Sequence, residues 1–460
     1  MSHSSLADFL EELHRLGELR LVEDEVDSEG IWAGAGLPAL DSCRDIIPQL
    51  THTAVLFRNV RGQSFPITAG LLATQARICR VLGVATLAEA ANRVAAAFST
   101  APPRESLVRD GVGRRDACLA RHAPRLVKTG ESQKIVRLGG DVDLEQIPGP
   151  NRPSPLETHR TLTAGVLVTR DPDSGQPVVG HAVVSIRSRD ELAVHFEPFD
   201  PLAAILEVYR RRGESMPLAF ALGGHPARLL AAMANPPFRV DRDCLAGLLT
   251  GGPLDNVRCR SIDVEVPAEA DFVVEGTIDS AAAPVETGPI FTPVAGMAAS
   301  RPCPLLRVTA LTRRANPVAP MILPWAIASE WTVIARTMHR VLLPLTRLLI
   351  DELADCNLPE FGMGRTMAWV SIRKKDAQSA RRVARALWGL PGTRFCSQMV
   401  LVDEDVDVDD GCQIWAAKGR NIQGGRDVFF EEGSPDPWAE GEAIGQPCQR
   451  LAFDATSKCF

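Results

Sequence analysis

Residues 243–279 read DCLAGLLTGGPLDNVRCRSIDVEVPAEADFVVEGTID. Two runs within them, NVRCRSIDVEVP (256–267) and ADFVVEGTI (270–278), are Val- and Ile-bearing and bounded by Gly, Pro and Asp, the pattern of short strands. The same texture continues upstream. RTLTAGVLVTRD (160–171), PVVGHAVVSIR (177–187), LAVHFEP (192–198) and PLAFALGG (217–224) each predict a strand, and DPDSG (171–175) supplies a turn. Helical stretches interrupt around 201–212 and 226–233. After a Pro- and Gly-rich loop at 283–304, PLLRVTALTRR (304–314) closes the series. The middle third is therefore a β-rich domain with helices packed on it.

The flanks differ. In LADFLEELHRLGELRLVEDEV (6–26), Leu6, Phe9, Leu10, Leu13 and Leu16 share one helical face, Gly17 supplies the stop, and ELRLVEDEV alternates as a strand. HTAVLFRNV (52–60), LLATQARICRVLG (71–83) and LAEAANRVAAAF (87–98) add strand and helix signals, and the polar stretch 99–133 marks a boundary. Residues 328–354 predict a long helix, with Pro344 ending or kinking it. MAWVSI (367–372), AQSARRVARALWG (377–389), QMVLVDED (398–405) and GCQIWAAKG (411–419) then alternate strand and helix. The expected class is α+β, in three parts at 1–110, 111–325 and 326–460.

The chain has 460 residues, 45% hydrophobic and 23% charged, enough for a large core. Fifty Lys and Arg against 57 Asp and Glu leave −7, which argues against a general nucleic-acid binder. No apolar run reaches the roughly 18 residues of a membrane span, and MSHSSLADFLEELHRLGEL lacks the basic start and apolar stretch of a secretory signal. The expected location is cytoplasmic. The 11 cysteines, scattered from Cys43 to Cys459 without a C-x-x-C pair, fit neither a disulfide framework nor a zinc site. They read as small buried hydrophobes.

No P-loop, zincin, nucleophile-elbow or dinucleotide-binding motif occurs. The acidic run 403–410 fails as a calcium loop: counted from Asp405, the sixth position is Asp410 rather than Gly and the twelfth is Ala416 rather than Glu. It reads as a solvated loop before a helix N-terminus. Of nine histidines, only His181 and His195 fall on adjacent predicted strands.

In order and along almost the whole chain, these segments resemble the UbiD family of carboxy-lyases. The match runs from the opening helix and strand (6–26) through GGDVDLEQIPGPN (139–151), TLTAGVLVTRDPDSGQPVVG (161–180), MPLAFALGGHPARLLAA (216–232), the 243–279 stretch and PLLRVTALTRRANPV (304–318). It continues through VLLPLTRLLIDELADCNLPEFG (341–362), MAWVSIRKK (367–375) and MVLVDEDVDV (399–408) to LAFDATSK (451–458). The resemblance implies an N-terminal α/β domain, a central split β-barrel flavin-type domain, a linking helix and a C-terminal α/β oligomerisation domain. It also implies reversible decarboxylation of aromatic or α,β-unsaturated acids on prenylated FMN, with a divalent metal and potassium at the cofactor phosphate, in a dimer or larger homo-oligomer.

The family positions depart from the family's residues. Its N-x-x-x-x-R motif falls on Val178, Val179, Gly180, His181, Ala182 and Val183, so Val replaces both the metal-binding Asn and the catalytic Arg. Its metal-ligating His falls on Phe199, the basic residue after it on Asp200, and its metal-ligating Glu, just ahead of Ala246-Gly247, on Arg242. E-G-P-[FY]-G-[ED] falls on Thr287–Thr292, with Thr292 at the proton donor and Glu286 one residue before the first carboxylate. Val and Phe offer a metal no lone pair, so no metal is expected, and prenylated FMN becomes doubtful. An Arg242–Asp200 ion pair is expected to fill the vacated space; the alternative is direct phosphate binding by Arg242.

Three functions remain open. The first is a UbiD-like enzyme with a rebuilt site, binding a small unsaturated or aromatic carboxylic acid, with His181, His195 and Glu286 for chemistry and Arg242 as anion clamp. The second is a non-catalytic companion to another UbiD-like subunit. The third is an ordinary prenylated-FMN decarboxylase anchored through Arg242.

Overall fold

The computed structural model describes residues 3–26, 53–99, 119–149, 160–197, 199–288, 290–292, 294, 296–298, 301–322, 329–438 and 448–458. Both expected boundaries, 110/111 and 325/326, lie outside them, as do Cys43, Cys459, Pro150, Asn151 and Pro289.

The N-terminal part follows the sequence pattern except at Leu16, which caps the end of the first helix and is exposed rather than on its buried face. Helix α1 (Leu6–Arg15) buries Leu6, Phe9, Leu10 and Leu13, and Ser5 caps it by accepting from Asp8 N. Gly17 (φ 73) turns the chain into β1 (Leu19–Val22), beside β2 (Ala54–Phe57) and β3 (Ile67–Ala69), with helices α2 (Gln75–Val81) and α3 (Leu87–Ser99) following.

The central sheet is built from β5 (Ile135–Leu138), β6 (Thr161–Leu162), β7 (Gly165–Arg170), β8 (Pro177–Gly180), β9 (Val183–Ile186), β10 (Glu191–His195), β11 (Met216–Leu222), β14 (Phe272–Ile278) and β19 (Leu305–Arg313). A small sheet of β4 (Arg125–Val127), β12 (Asp255–Arg258) and β13 (Glu265–Pro267) lies apart from it. The main strand order is β6-β9-β10-β19-β14-β11-β7-β8, with β5 on β19. The run 177–187, expected as one strand, is two. β8 ends one side of this path while β9 is second from the other end, yet only His181 and Ala182 separate them. At about 3.3–3.6 Å per residue, so short a link forces the sheet's ends together, and the sheet curls into a split barrel with its seam at His181.

Helices α4 (Pro201–Arg212), α5 (Pro226–Met233) and α6 (Arg242–Thr250) pack on this barrel. The first two fall where the sequence expects them. The third went unread, because Arg242–Thr250 is buried almost all round and has little amphipathic contrast. The loop expected at 283–304 contains two short ladders: β15 (Val285–Glu286) with β18 (Pro302–Cys303), and β16 (Ile290–Thr292) with β17 (Gly296–Ala298). Strand β20 (Ala319–Met321) then runs back to pair with β3 and complete the N-terminal sheet.

Helix α7 (Glu330–Leu349) does not end at Pro344 but continues five residues beyond it. An interior Pro costs about 3 kcal/mol, but Val341, Leu342, Leu343 and Leu345 are buried around it, and such side chains contribute about 1.5–3 kcal/mol each. After Leu349 the chain leaves the helix and enters β21 (Leu353–Asn357), which had been expected to be helical as far as 354. The C-terminal sheet, order β21-β22-β23-β25-β24, adds β22 (Met367–Ile372), β23 (Gln398–Asp403), β24 (Val428–Gly433) and β25 (Cys448–Asp454), flanked by α8 (Ser379–Trp388) and α9 (Gly411–Asn421). Asp410, from the acidic run, caps α9 by accepting from Cys412 N and Gln413 N.

Candidate functional site

At the barrel seam, between the central and C-terminal parts, lies a cavity of about 90 Å³. The barrel side supplies His181 and the β10–α4 turn supplies Glu197 and Asp200. Arg242 comes from the first turn of α6 and Trp331 from α7. The C-terminal part contributes Met363, Gly364, Arg365 and Phe395. Gly180 precedes His181 because a Cβ there would stand 2.6 Å from Leu202, so only glycine lets α4 approach the seam this closely.

The electrostatics centre on Arg242. Its side chain is 9% exposed, and Nη1 donates to Ala232 O at 2.5 Å. The residue lines the cavity, and among the described residues its guanidinium makes no other hydrogen bond. Burial pulls the guanidinium down from its ordinary value, while the Asp200 charge opposes that shift. Asp200 caps α4, accepting from Leu202 N at 2.7 Å, and burial raises its carboxyl to about 6 against the pull of Arg242. The expected ion pair is not made: no hydrogen bond or ion pair joins Arg242 to Asp200, and both face the cavity instead. Each also sits at a helix N-terminus, where backbone N–H groups favour negative charge.

His181 faces the same cavity. Its Nε2 lies 2.8 Å from Thr163 O, its ring meets Trp331 edge-on at 5.2 Å, and burial lowers its pKa, keeping it neutral at neutral pH. Val178 and Val179 are buried within β8. Phe199 adopts a left-handed backbone (φ 69) and is 60% exposed. Its ring lies 6.4 Å from Phe395 and under the Arg394 guanidinium at 4.8 Å, both of the C-terminal part. Such a φ is uncommon for a bulky residue and marks a constrained turn.

The remaining sequence candidates lie elsewhere. His195 is buried behind β9, its Nε2 2.8 Å from Ser185 Oγ and its Nδ1 3.3 Å from Cys303 Sγ, with a pKa pushed down to about 4 by burial. Glu286 is exposed on β15. Neither lines the cavity. Among the described residues, no three His, Cys, Asp or Glu side chains are arranged to hold a metal ion.

The sequence reading missed Glu197 and Arg365. Arg365 pairs with Glu197 (3.2 Å) across the two parts and with Asp436 (2.7 Å), and it stacks on Phe395 at 4.3 Å. The one local signal was GMG at 362–364, a turn in which Met363 and Gly364 take positive φ.

Comparisons with known proteins agree with this architecture. Residues 125–326 match the family described as 3-octaprenyl-4-hydroxybenzoate carboxy-lyase Rift-related domain, and residues 332–455 match its C-terminal domain. The chain belongs to the UbiD family. A curated relative, the uncharacterized protein sll0936 of Synechocystis, is 28% identical over 98% of this chain and 89% of its own length. Among solved structures, the UbiD-class enzyme HmfF from Pelotomaculum thermopropionicum in complex with FMN superposes with a TM-score of 0.78 at 27% identity, covering 98% of this chain and 94% of that one. Vanillic acid decarboxylase of Sedimentibacter hydroxybenzoicus, 21% identical in its closed form, gives a TM-score of 0.84 over 99% of this chain and 93% of that one. Its open form gives 0.78. The UbiD-like α+β fold expected from sequence is therefore the fold of this chain. No helix among the described residues is long and apolar enough to cross a membrane.

Proposed function

We propose that this UbiD-family chain is a decarboxylase-class enzyme with a rebuilt site, in which Arg242 binds a small unsaturated or aromatic monocarboxylic acid. The observation that carries this reading is a buried guanidinium lining a cavity, bonded only to a backbone carbonyl among the described residues, beside a carboxyl of pKa about 6. Arg365, the other cavity guanidinium, is taken up by two carboxylates, Glu197 and Asp436, which leaves Arg242 as the cavity guanidinium with no carboxylate partner among the described residues.

The family's cofactor set fits poorly here. Val178, Phe199 and Arg242 stand at the positions expected to ligate metal, and Arg242 would repel a cation from Asp200. About 90 Å³ is also far below the roughly 300–1,000 Å³ of cofactor-sized pockets. The chemistry is therefore assigned to the substrate and to the chain's own residues. Protonated Asp200 delivers its proton to the substrate's α-carbon as electrons move in from a para-oxygen that enters as phenolate, leaving a quinone methide that still carries the carboxylate held by Arg242. The bond to the carboxyl carbon then breaks, CO2 leaves, and the released electron pair restores the alkene, the ring and the phenolate, while Asp200 is reprotonated from solvent. This requires a para-hydroxylated unsaturated acid.

The test has two parts. The protein purified after co-expression with a flavin prenyltransferase should carry no stoichiometric flavin by absorption and native mass. It should also release CO2 from 4-hydroxycinnamate, and Arg242→Met should abolish this. Near-stoichiometric flavin would overturn the cofactor reading, and flavin-free protein that binds no acid would favour the companion-subunit reading. We assign the chain a cytoplasmic location and a homo-oligomeric state. Phe361, Trp415 and Phe430, exposed on the C-terminal part, support an assembly surface there.

A further inference from the structure

The cavity holds on the order of six to nine water-sized spheres at about 10–15 Å³ each, so what limits its size decides what it admits. One side chain of the C-terminal part stands behind its wall. Trp438 is 6% exposed and clusters with Val183 and Ile290 of the central part, with Trp331 packed against the same cluster. Its indole Nε1–H donates to Glu197, and its carbonyl accepts from Thr292 Oγ1 at 3.4 Å. Its backbone N–H donates to Asp436, the partner of Arg365, at 2.9 Å. Arg301 lies 5.3 Å from the ring centroid. Glu197, Arg365 and Trp331 all line the cavity; the indole bears on Glu197 and Trp331, and the Trp438 backbone N–H reaches Arg365 through Asp436.

We propose that Trp438 is the specificity-determining residue of this site, holding Glu197 and Trp331 inward so that the cavity admits single-ring acids and rejects fused-ring ones. The inference rests on the acid-binding reading of Arg242 and adds the size rule. Glu197 cannot swing outward without giving up its pair with Arg365 and leaving the indole N–H unpaired, and Trp331 cannot retreat into space already filled by the indole cluster. A smaller residue at 438 removes both restraints and leaves a hole contiguous with the wall.

Benzoate and 2-naphthoate binding to wild type, Trp438→Ala and Trp438→Phe, measured by calorimetry, tests the proposal. Trp438→Phe preserves an aromatic filler and guards against a Trp438→Ala variant that does not fold. The wild type should prefer benzoate. Both variants should gain in 2-naphthoate affinity relative to benzoate, by about tenfold or more for Ala, since one methylene of misfit is worth about 10–200-fold. An unchanged naphthoate-to-benzoate ratio in a folded variant overturns the size rule while leaving Arg242 in place, provided that wild type binds benzoate and Arg242→Met does not. If no acid binds wild type or either variant, the acid-binding reading and the size rule both fall.

Discussion

Two arginines sit on neighbouring helices, and both are buried. Arg228 of α5, 2% exposed, is saturated: Nε donates to Glu269 (2.8 Å), Nη1 to Asp243 (3.0 Å) and Nη2 to Asp255 O (2.6 Å). Asn256 Nδ2 donates to the other oxygen of Asp243. The two carboxylates hold the Arg228 guanidinium above the ordinary value. Arg242 of α6 makes one bond to a backbone carbonyl and is pulled below its ordinary value by burial. The same side chain is structural where the protein supplies its counter-ions and available to a ligand where it does not. Burial alone does not separate the two, whereas the partner set does.

This contrast can be tested most severely at Arg228. Arg228→Met leaves Glu269 and Asp243 without their cation and should destabilise by about 3–5 kcal/mol in urea unfolding. A loss below ~1 kcal/mol would erase the distinction. Arg242→Met, similar in volume, should change stability by less than ~1 kcal/mol while reducing benzoate affinity by about 30-fold, roughly 2 kcal/mol at 1.4 kcal/mol per decade. A large stability loss there would make Arg242 a second structural arginine.

The effect at Asp200 depends on pH and vanishes at its acid end. Its folded carboxyl stands at about 6 against 3.8 for the free group, so the folded state holds the proton more tightly. That contribution is complete below pH 3.8 and lost as pH rises through 6. Asp200→Asn keeps the helix cap and removes the charge. The variant should be more stable than wild type by roughly 1–3 kcal/mol at pH 8, with the gap closing below about pH 4, as read from thermal unfolding in parallel buffers.

The site was only partly legible in sequence. Arg242 and His181 could be singled out because each stands in a stretch resembling the family's cofactor motifs, and the structure brings both to one cavity. His195, chosen because it falls on the predicted strand next to that of His181, is held away from the cavity by Ser185 and Cys303. Strand alternation gives the face of a side chain but not what covers that face. Helix α6 was missed because it is apolar on nearly every side, and α7 was expected to stop or bend at Pro344 because local propensity omits the tertiary burial around it.

By itself, the sequence determined most of the elements and the family. The 3.6- and 2-residue periods, the turn residues and the order of the segments are local properties carried by neighbours in the chain. Tertiary structure alone decided that 177–187 breaks into two strands at opposite ends of a curled sheet, and that β20 returns to the first sheet. It also decided that Glu197 meets Arg365 and Trp438, 168 and 241 residues away. Those contacts form only when burial closes the central and C-terminal parts on each other, and no local period in the chain encodes them.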